Sequence, residues 1–391
     1  MTRRFKIISS LSALICLYSY GAALTSTHSC NSEICNVFSI SKTQMSVMFM
    51  FLYLGFFFAS VLTGSIADKK GKLPMICMGT LVIIIGSLIL SFTQNLFLGM
   101  VAMACIGLGG GACETCVTGY IGDTWKGKRR NTMMNFNQTA FGFGAFSGPV
   151  ISGFFMRYFG GYRGAFLTVA SVALCGTIVV ALCLLRNQEK PSALTEDKVQ
   201  RTPWIMLLRD KWILGILLCL MLYMGVESGF SEWVSVYYED VFGMDGDVAT
   251  QSVGIFWLGL TLGSLVFGIL SKRLEREKMV IASVVAVIVC WIVWYVKIIP
   301  VAYVGSFWVG FFLGPVFGTI LGMGTEKFPR HSGAVTSILF GGGYIGGAFF
   351  PALIGINADR FGVVYGICIV PILVMALLFI FSTLIRTEKE K

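Results

Sequence analysis

Charged residues make up only 13% of this 391-residue chain, whereas 56% of its residues are hydrophobic. Soluble domains carry about 25% charged residues, so this composition excludes an ordinary soluble protein. Histidine is scarce as well, since His28 and His331 are the only two. The motifs HExxH and GxSxG are missing. We therefore expect no metal site, no catalytic residues and no enzymatic activity.

Long apolar runs make up most of the sequence. A membrane-spanning helix needs about 20 mostly apolar residues. The first run lacks the small-residue cleavage pattern of a signal peptide, so we expect it to be retained as a span. We predict an all-α integral membrane protein with twelve spans, at 5–24, 44–66, 74–93, 97–121, 132–156, 164–185, 212–238, 250–270, 279–298, 300–324, 332–357 and 361–385.

The distribution of basic residues predicts the orientation. If both termini lie on one side of the membrane, 25 of the 30 Lys and Arg residues fall on that side. Cytoplasmic loops are the ones enriched in Lys and Arg. Both termini are therefore predicted to be cytoplasmic, in a plasma or inner membrane. The net charge of +10 reflects this bias and gives no reason to expect a nucleic-acid partner. Cys30 and Cys35 lie in the first predicted outer loop, where a disulfide and two separate thiols fit equally well.

Polar residues inside the fourth and fifth spans predict a site. Glu114 lies in a glycine-rich apolar run, where an acid costs about 3 kcal/mol. Asn135, Asn137 and Gln138 begin the next span, toward the same predicted cytoplasmic side. An acid is retained at this depth when it faces polar partners or a water-filled cavity. Asn135 and Gln138 share one face of their span, so we expect this pair to meet Glu114.

The seventh span carries a second buried acid. Glu227 shares a helical face with Tyr223, and Trp233 follows six residues further along. An aromatic ring beside acid and amide groups suits a sugar, because C–H faces stack while hydroxyls hydrogen-bond. Trp233 also fits an interfacial belt residue, and Glu227 also fits a structural pair. Tyr344 and Asn357 in the eleventh span are further candidates for substrate contact.

The loop after the second span carries a motif formed by Gly64, Asp68, Lys69, Gly71 and Lys72. This pattern resembles the G-x-x-x-D-[RK]-x-G-[RK] signature of the major facilitator superfamily. The resemblance implies two six-helix halves, 1–188 and 212–391, joined by a cytoplasmic linker at 189–211. Physically, the aspartate caps a helix end and pairs with nearby cations, which suits a conformational latch.

The run from Gly107 to Pro149 looks like the fucose–galactose–hexose permease branch of that superfamily. Gly107 to Thr115 match its G-L-G-x-G-x-x-E-T pattern, and Asn135, Phe136 and Gln138 match its N-F-x-Q pattern. The resemblance implies a monomeric transporter of a hexose or related small polar solute in the lipid bilayer. It further implies no cofactor other than a coupling ion, H⁺ or Na⁺, with Glu114 and Glu227 as coupling residues.

Three alternatives stay open. The first predicted span contains no acid, whereas proton-coupled relatives in this branch can carry one there, so facilitated diffusion is one of them. The second is an exporter of amphipathic cations that pair with the two acids. The third, a sensor built on a transporter scaffold, is disfavoured by the short termini, since a sensor usually carries an output module.

Overall fold

The structure is a computed structural model that describes residues 3–186, 209–271, 273–295, 297–328 and 332–389. The backbone alone is described at residues 64, 65, 68, 69, 127, 128, 130, 131, 135, 332–334 and 389. Most of the predicted linker, 189–211, lies outside the described residues.

The described chain is helical. Its helices, numbered in order, are α1 (Arg3–Ser29), α2 (Asn31–Phe38), α3 (Lys42–Lys70), α4 (Lys72–Phe92), α5 (Leu96–Thr124), α6 (Gly127–Phe159), α7 (Arg163–Arg186), α8 (Lys211–Phe242), α9 (Gly246–Ala249), α10 (Gln251–Leu270), α11 (Arg276–Trp294), α12 (Ile299–Glu326), α13 (Ser332–Phe361), α14 (Val363–Ile367) and α15 (Ile369–Lys389).

Twelve of the described segments are long and apolar enough to cross a membrane, which confirms the predicted number of spans. Polar side chains cap the starts of α5 and α8: the Asn95 side chain accepts from the Leu98 N–H at the start of α5, and Asp210 accepts from the Trp212 and Ile213 N–H groups at the start of α8. Such caps satisfy backbone donors that have no partner within the helix. The last predicted span, 361–385, is broken at Cys368 into α14 and α15.

The chain divides into two compact units. Unit 1 comprises Met1–Ile40, Val47–Val199 and Gly246–Gly254, and unit 2 comprises Ser41–Ser46, Gln200–Asp245 and Ile255–Lys391. Each unit contains most of six spans. The first turn of α3 belongs to unit 2, and the first turns of α9 and α10 belong to unit 1.

In unit 1, α1 packs against α6, and α4 packs against α5 and α7. Glycine makes two of these crossings close. A Cβ on Gly144 would overlap the Tyr18 carbonyl oxygen of α1, and a Cβ on Gly107 would overlap the Leu52 carbonyl oxygen of α3. Small residues let helix backbones approach in this way within a membrane.

Just after the end of α6, burial raises the pKa of Tyr162 to about 12, so its neutral hydroxyl donates to the Leu90 carbonyl.

Unit 2 repeats the same arrangement. Its α8 packs against α13, and α11 packs against α12 and α15. A Cβ on Gly346 would overlap the Met221 carbonyl oxygen of α8, and a Cβ on Gly310 would overlap the Phe256 carbonyl oxygen of α10. The glycine contacts therefore occur between equivalent helices of the two units, as internal repeats produce.

An ion pair joins equivalent helix ends in each unit. Lys72 at the start of α4 binds Asp123 near the end of α5, and Arg276 at the start of α11 binds Glu326 at the end of α12. The second pair occurs although the loop before α11 has Lys272 and Glu275 where the motif of the first half has Asp68 and Gly71. Equivalent helices are thus tied at the same end in both units.

Candidate functional site

In unit 1 a hydrogen bond joins polar groups of α5 and α6. The Asn137 side-chain amide donates to the Thr118 hydroxyl at 3.0 Å. Thr118 lies one helical turn beyond Glu114, and both side chains are half-buried. Asn137 is only 3% exposed. An acid, a hydroxyl and an amide therefore stand along the same stretch of the α5–α6 contact.

The glycine-rich face of α5 is occupied by neighbouring helices. A Cβ on Gly110 would overlap the rings of Tyr20 and Phe56. Tyr20 of α1 lies 5.5 Å from the Phe56 ring and 5.2 Å from the Phe141 ring, between ring centroids. The small residues beside Glu114 therefore allow neighbouring helices to pack closely against α5. Tyr20 was not predicted, because nothing in the first span distinguishes it from packing aromatics.

In unit 2 an acid stands at the end of a chain of aromatic rings. The Tyr223 hydroxyl donates to Glu227 Oε2 at 2.6 Å, within α8. The Tyr223 ring lies 5.5 Å from Phe317 of α12, and Phe317 lies 5.3 Å from Phe340 of α13. Phe340 in turn lies 6.0 Å from Tyr344. We call Tyr223, Glu227, Phe317, Phe340 and Tyr344 the aromatic–acid cluster.

The cluster combines two kinds of surface. Glu227, Phe317 and Phe340 are half-buried, whereas Tyr223 and Tyr344 are buried. Half-buried rings supply apolar faces, and the carboxylate supplies hydrogen-bond acceptors. Phe317 and Phe340 were missed from the sequence, because phenylalanine is common throughout the spans and only the fold brings these two to Tyr223.

Other predicted site residues lie apart from these two groups. Gln138 is exposed, whereas Trp233 is fully buried, with its ring beside Gly355. The Asn357 amide donates to the Leu353 carbonyl of its own helix at 2.8 Å. The Asn135 side chain lies outside the described residues. The sequence-based assignment of these four to substrate binding stays a prediction.

The predicted latch motif is described in part. Gly71 has φ = 93° and forms the turn between α3 and α4, a conformation that favours glycine. Lys72 pairs with Asp123. At Gly64, Asp68 and Lys69 the structure describes only the backbone. Asp123 was not predicted as the partner, since it stands 51 residues further along the chain.

A second polar contact lies at the opposite end of α3. The Asp359 carboxylate accepts the Lys42 and Thr43 backbone N–H groups at 3.1 and 2.7 Å. The Lys42 ammonium binds Asp240 of α8 at 2.5 Å. Asp359 thus caps the start of α3 from the end of α13, where a negative charge also complements the helix dipole. All of these residues belong to unit 2.

Two further predictions concern metals and cysteines. In the part of the chain that the structure describes, no group of three or more His, Cys, Asp or Glu side chains is placed to hold a metal ion. Cys30 and Cys35 are separate thiols, and Cys35 Sγ donates to Asn31 Oδ1 at 3.7 Å. The alternative of two separate thiols is therefore the one the structure adopts.

Comparisons with known proteins agree with this architecture. The sequence model of the Major Facilitator Superfamily matches residues 7–351 and 253–391. A glucose/mannose transporter, GlcP, of Bacillus subtilis is 22% identical over 90% of this chain and 88% of its own. A TsgA homologue of Erwinia tasmaniensis is 23% identical over 89% and 88%. The crystal structure of a bacterial homologue of the human lysosomal transporter Spinster, in its inward-facing and occupied conformation, is 13% identical, with a TM-score of 0.81 over 99% and 98%.

Proposed function

The chain belongs to the major facilitator superfamily and is a multi-pass membrane transporter rather than an enzyme, and from this premise we propose that it carries a hexose-like sugar by alternating access. The proposed domains are two six-helix halves, 1–188 and 212–391, joined by a linker at 189–211. In this superfamily the halves enclose a substrate site near the middle of the membrane. The similarity to a glucose/mannose transporter supports the choice of a sugar.

The aromatic–acid cluster is the observation that carries this proposal. A hexose presents apolar C–H faces and a rim of hydroxyl groups. The half-buried Phe317 and Phe340 rings offer stacking surfaces, and Glu227 accepts hydrogen bonds from hydroxyls. Hydrogen bonds to an ionised group are roughly twice as strong as those between neutral groups. The combination therefore suits a neutral, multiply hydroxylated solute.

Glu227 and Glu114 are the proposed coupling residues, with H⁺ or Na⁺ as the ion. An ionisable residue inside a span is retained for a function by default. A carboxylate with neighbouring hydroxyl and amide oxygens is also a set of hard ligands suited to Na⁺. Thr118 supplies such an oxygen one turn from Glu114, and the Asn137 side chain that binds Thr118 carries another.

The proposed setting is a plasma or inner membrane with both termini in the cytoplasm. The 25 to 5 division of Lys and Arg residues between the two sides supports it. In this orientation the Lys72–Asp123 and Arg276–Glu326 pairs lie on the cytoplasmic side. The Asp359 cap on α3 lies on the outer side. We propose that the motif from Gly64 to Lys72 acts as a cytoplasmic latch and that the transporter works as a monomer.

Uptake by proteoliposomes tests the proposal. The purified protein is reconstituted and offered a panel of labelled hexoses, with no gradient, an imposed H⁺ gradient or an imposed Na⁺ gradient. We expect saturable uptake of at least one hexose and accumulation when the coupling ion is supplied in excess outside. Glu114→Gln should reduce that accumulation.

Other outcomes point elsewhere. Saturable hexose uptake that no gradient accelerates identifies a facilitative carrier. Efflux of lipophilic cations without any hexose transport identifies an exporter, because acids beside aromatic rings also bind organic cations. Either result contradicts the proposal of ion-coupled sugar transport.

A further inference from the structure

A cavity of about 410 Å³ opens at one end of unit 2, where α10, α11 and α12 meet. Its apolar wall is formed by Phe267 of α10, Phe312 of α12 and Met279 of α11. Its rim is formed by Arg273, Glu275 and Lys278 in and just after the α10–α11 loop. An apolar wall below a charged rim is the profile of the boundary between acyl chains and water.

The depth of the cavity fits a lipid. It extends from the loop before α11 to Ser283, seven residues into that helix. At 1.5 Å per residue this is about 10 Å, the distance from a phosphate group to the upper part of an acyl chain. Ala282, which also lines the cavity, is exposed. The cavity therefore opens where lipid reaches it.

The rim carries positive charge that is open to an anion. Arg273 is exposed and forms no ion pair with any residue described in the structure. Lys278 binds Glu275 at 3.0 Å, but the two side chains are 75% and 59% exposed. Such a surface pair is worth little, so an anionic group can compete for the lysine. The guanidinium of Arg273 matches phosphate oxygens in a bidentate geometry.

A polar group lies deeper in the same cavity. Ser283 is 2% exposed, and its hydroxyl has no hydrogen-bond partner within the described chain. Hydroxyls elsewhere in the spans donate to the carbonyl one turn back, as those of Thr80 and Thr177 do. A buried hydroxyl without a partner costs free energy. An ester carbonyl of a lipid would accept its proton.

We propose that this cavity binds one anionic phospholipid, with the phosphate on Arg273, the glycerol ester region near Ser283 and an acyl chain along Phe267 and Phe312. A cationic ligand is disfavoured by Arg273, and a free phosphate would leave the apolar wall uncovered. Basic pockets between membrane helices bind anionic headgroups in this manner. The site is separate from the aromatic–acid cluster and does not depend on the transported solute.

Native mass spectrometry of the purified full-length protein tests the proposal. The protein is stripped of lipid in detergent and titrated with phosphatidylglycerol, with phosphatidylcholine in a parallel series. We expect one tightly bound phosphatidylglycerol and weaker, unsaturable binding of phosphatidylcholine. Glycerol 3-phosphate, which has no acyl chains, should not compete, because the apolar wall contributes to binding.

Matched variants locate the lipid. Arg273→Gln should weaken phosphatidylglycerol binding about tenfold, as the loss of one charge-assisted bond requires. Arg276→Gln removes the same charge three residues further along the chain. The Arg276 side chain does not line the cavity, so this variant should have little effect on phosphatidylglycerol binding. Ala282→Trp fills the cavity without changing any charge and should abolish the tight binding.

Several results would overturn the proposal. One is equal affinity for the two lipids. Another is the same loss of phosphatidylglycerol binding in Arg273→Gln and Arg276→Gln. Undiminished tight binding by a folded Ala282→Trp protein would also do so, with folding checked by thermal unfolding in detergent. Competition by glycerol 3-phosphate would show that the cavity recognises a phosphate group alone and is not a lipid site.

Discussion

Removing the Tyr223 hydroxyl should raise the affinity of the Glu227 carboxylate for the coupling ion. This hydroxyl donates to Glu227 at 2.6 Å, so it competes with H⁺ or Na⁺ for the same carboxylate. A hydrogen bond to a charged group contributes about 1.5–3 kcal/mol. Because Glu227 is half-buried, the lower end of that range applies, which corresponds to about tenfold in ion affinity.

The variant is therefore Tyr223→Phe, which keeps the ring and its contact with Phe317. In proteoliposomes, the ion concentration that gives half-maximal driven hexose uptake should fall about tenfold. Hexose exchange without a gradient should change much less, since the aromatic faces of the cluster remain. The measurement is initial uptake rate as a function of external ion concentration, at fixed sugar.

Tyr238→Phe is the matched control. Tyr238 lies on the same helix, is fully buried and forms a side-chain hydrogen bond with Ser306 at 3.1 Å. Its loss removes a buried hydroxyl without touching the cluster. An equal shift in both variants, no shift in Tyr223→Phe, or a shift toward higher ion concentration would refute the reasoning.

Three further predictions concern coupling, the helix cap and glycine packing. Glu227→Gln should abolish gradient-driven accumulation more than gradient-free hexose exchange, measured in the same vesicles; equal loss of both would contradict the coupling role. Asp359→Ala should lower hydrogen-exchange protection of the first turn of α3 about fivefold, because a helix cap contributes about 1 kcal/mol. Asp240→Ala removes only a surface ion pair and should lower that protection less, so the reverse order would sink the capping argument. Gly107→Ala should lower thermal stability by about 1–3 kcal/mol through overpacking, whereas Gly318→Ala meets no atom within 4 Å and should not; equal effects would show that the crossing is not tight.

The spans could be predicted from the sequence because apolar length alone decides which helices suit a membrane. Their ends were harder to predict. The first span was expected to end at residue 24, yet α1 continues to Ser29. The added residues, such as Ser26 and Thr27, are polar but fully buried. Hydropathy cannot identify a polar helical turn that is covered by neighbouring helices.

The site could be predicted only in its local parts. Tyr223 and Glu227 share a helical face by their spacing, and the structure joins them by a hydrogen bond. The contact between α5 and α6 was expected at the amide pair of Asn135 and Gln138, but Asn137 makes the described bond to Thr118. The rotation of a helix about its axis depends on how it packs, and neighbouring amides on one helix point in different directions.

Contacts between distant segments could not be predicted at all. The partner of Lys72 lies on another helix, and the Asp359 cap on α3 joins residues more than 300 positions apart. Such pairs depend on which helix ends the fold brings together. The motif predicted ion pairs between Asp68 and neighbouring cations, but it did not identify Asp123 as the partner of Lys72.

Hexose counterflow in proteoliposomes tests the central claim most directly, because it requires recognition and exchange of the sugar but no driving gradient. Vesicles loaded with an unlabelled hexose are diluted into a trace of the labelled sugar. We predict a transient accumulation of label that saturates with internal sugar. It should persist in Glu227→Gln at a higher half-saturating sugar concentration, because the amide oxygen still accepts a hydrogen bond. The absence of counterflow for every hexose, in vesicles whose protein exchanges a lipophilic cation, would contradict the account.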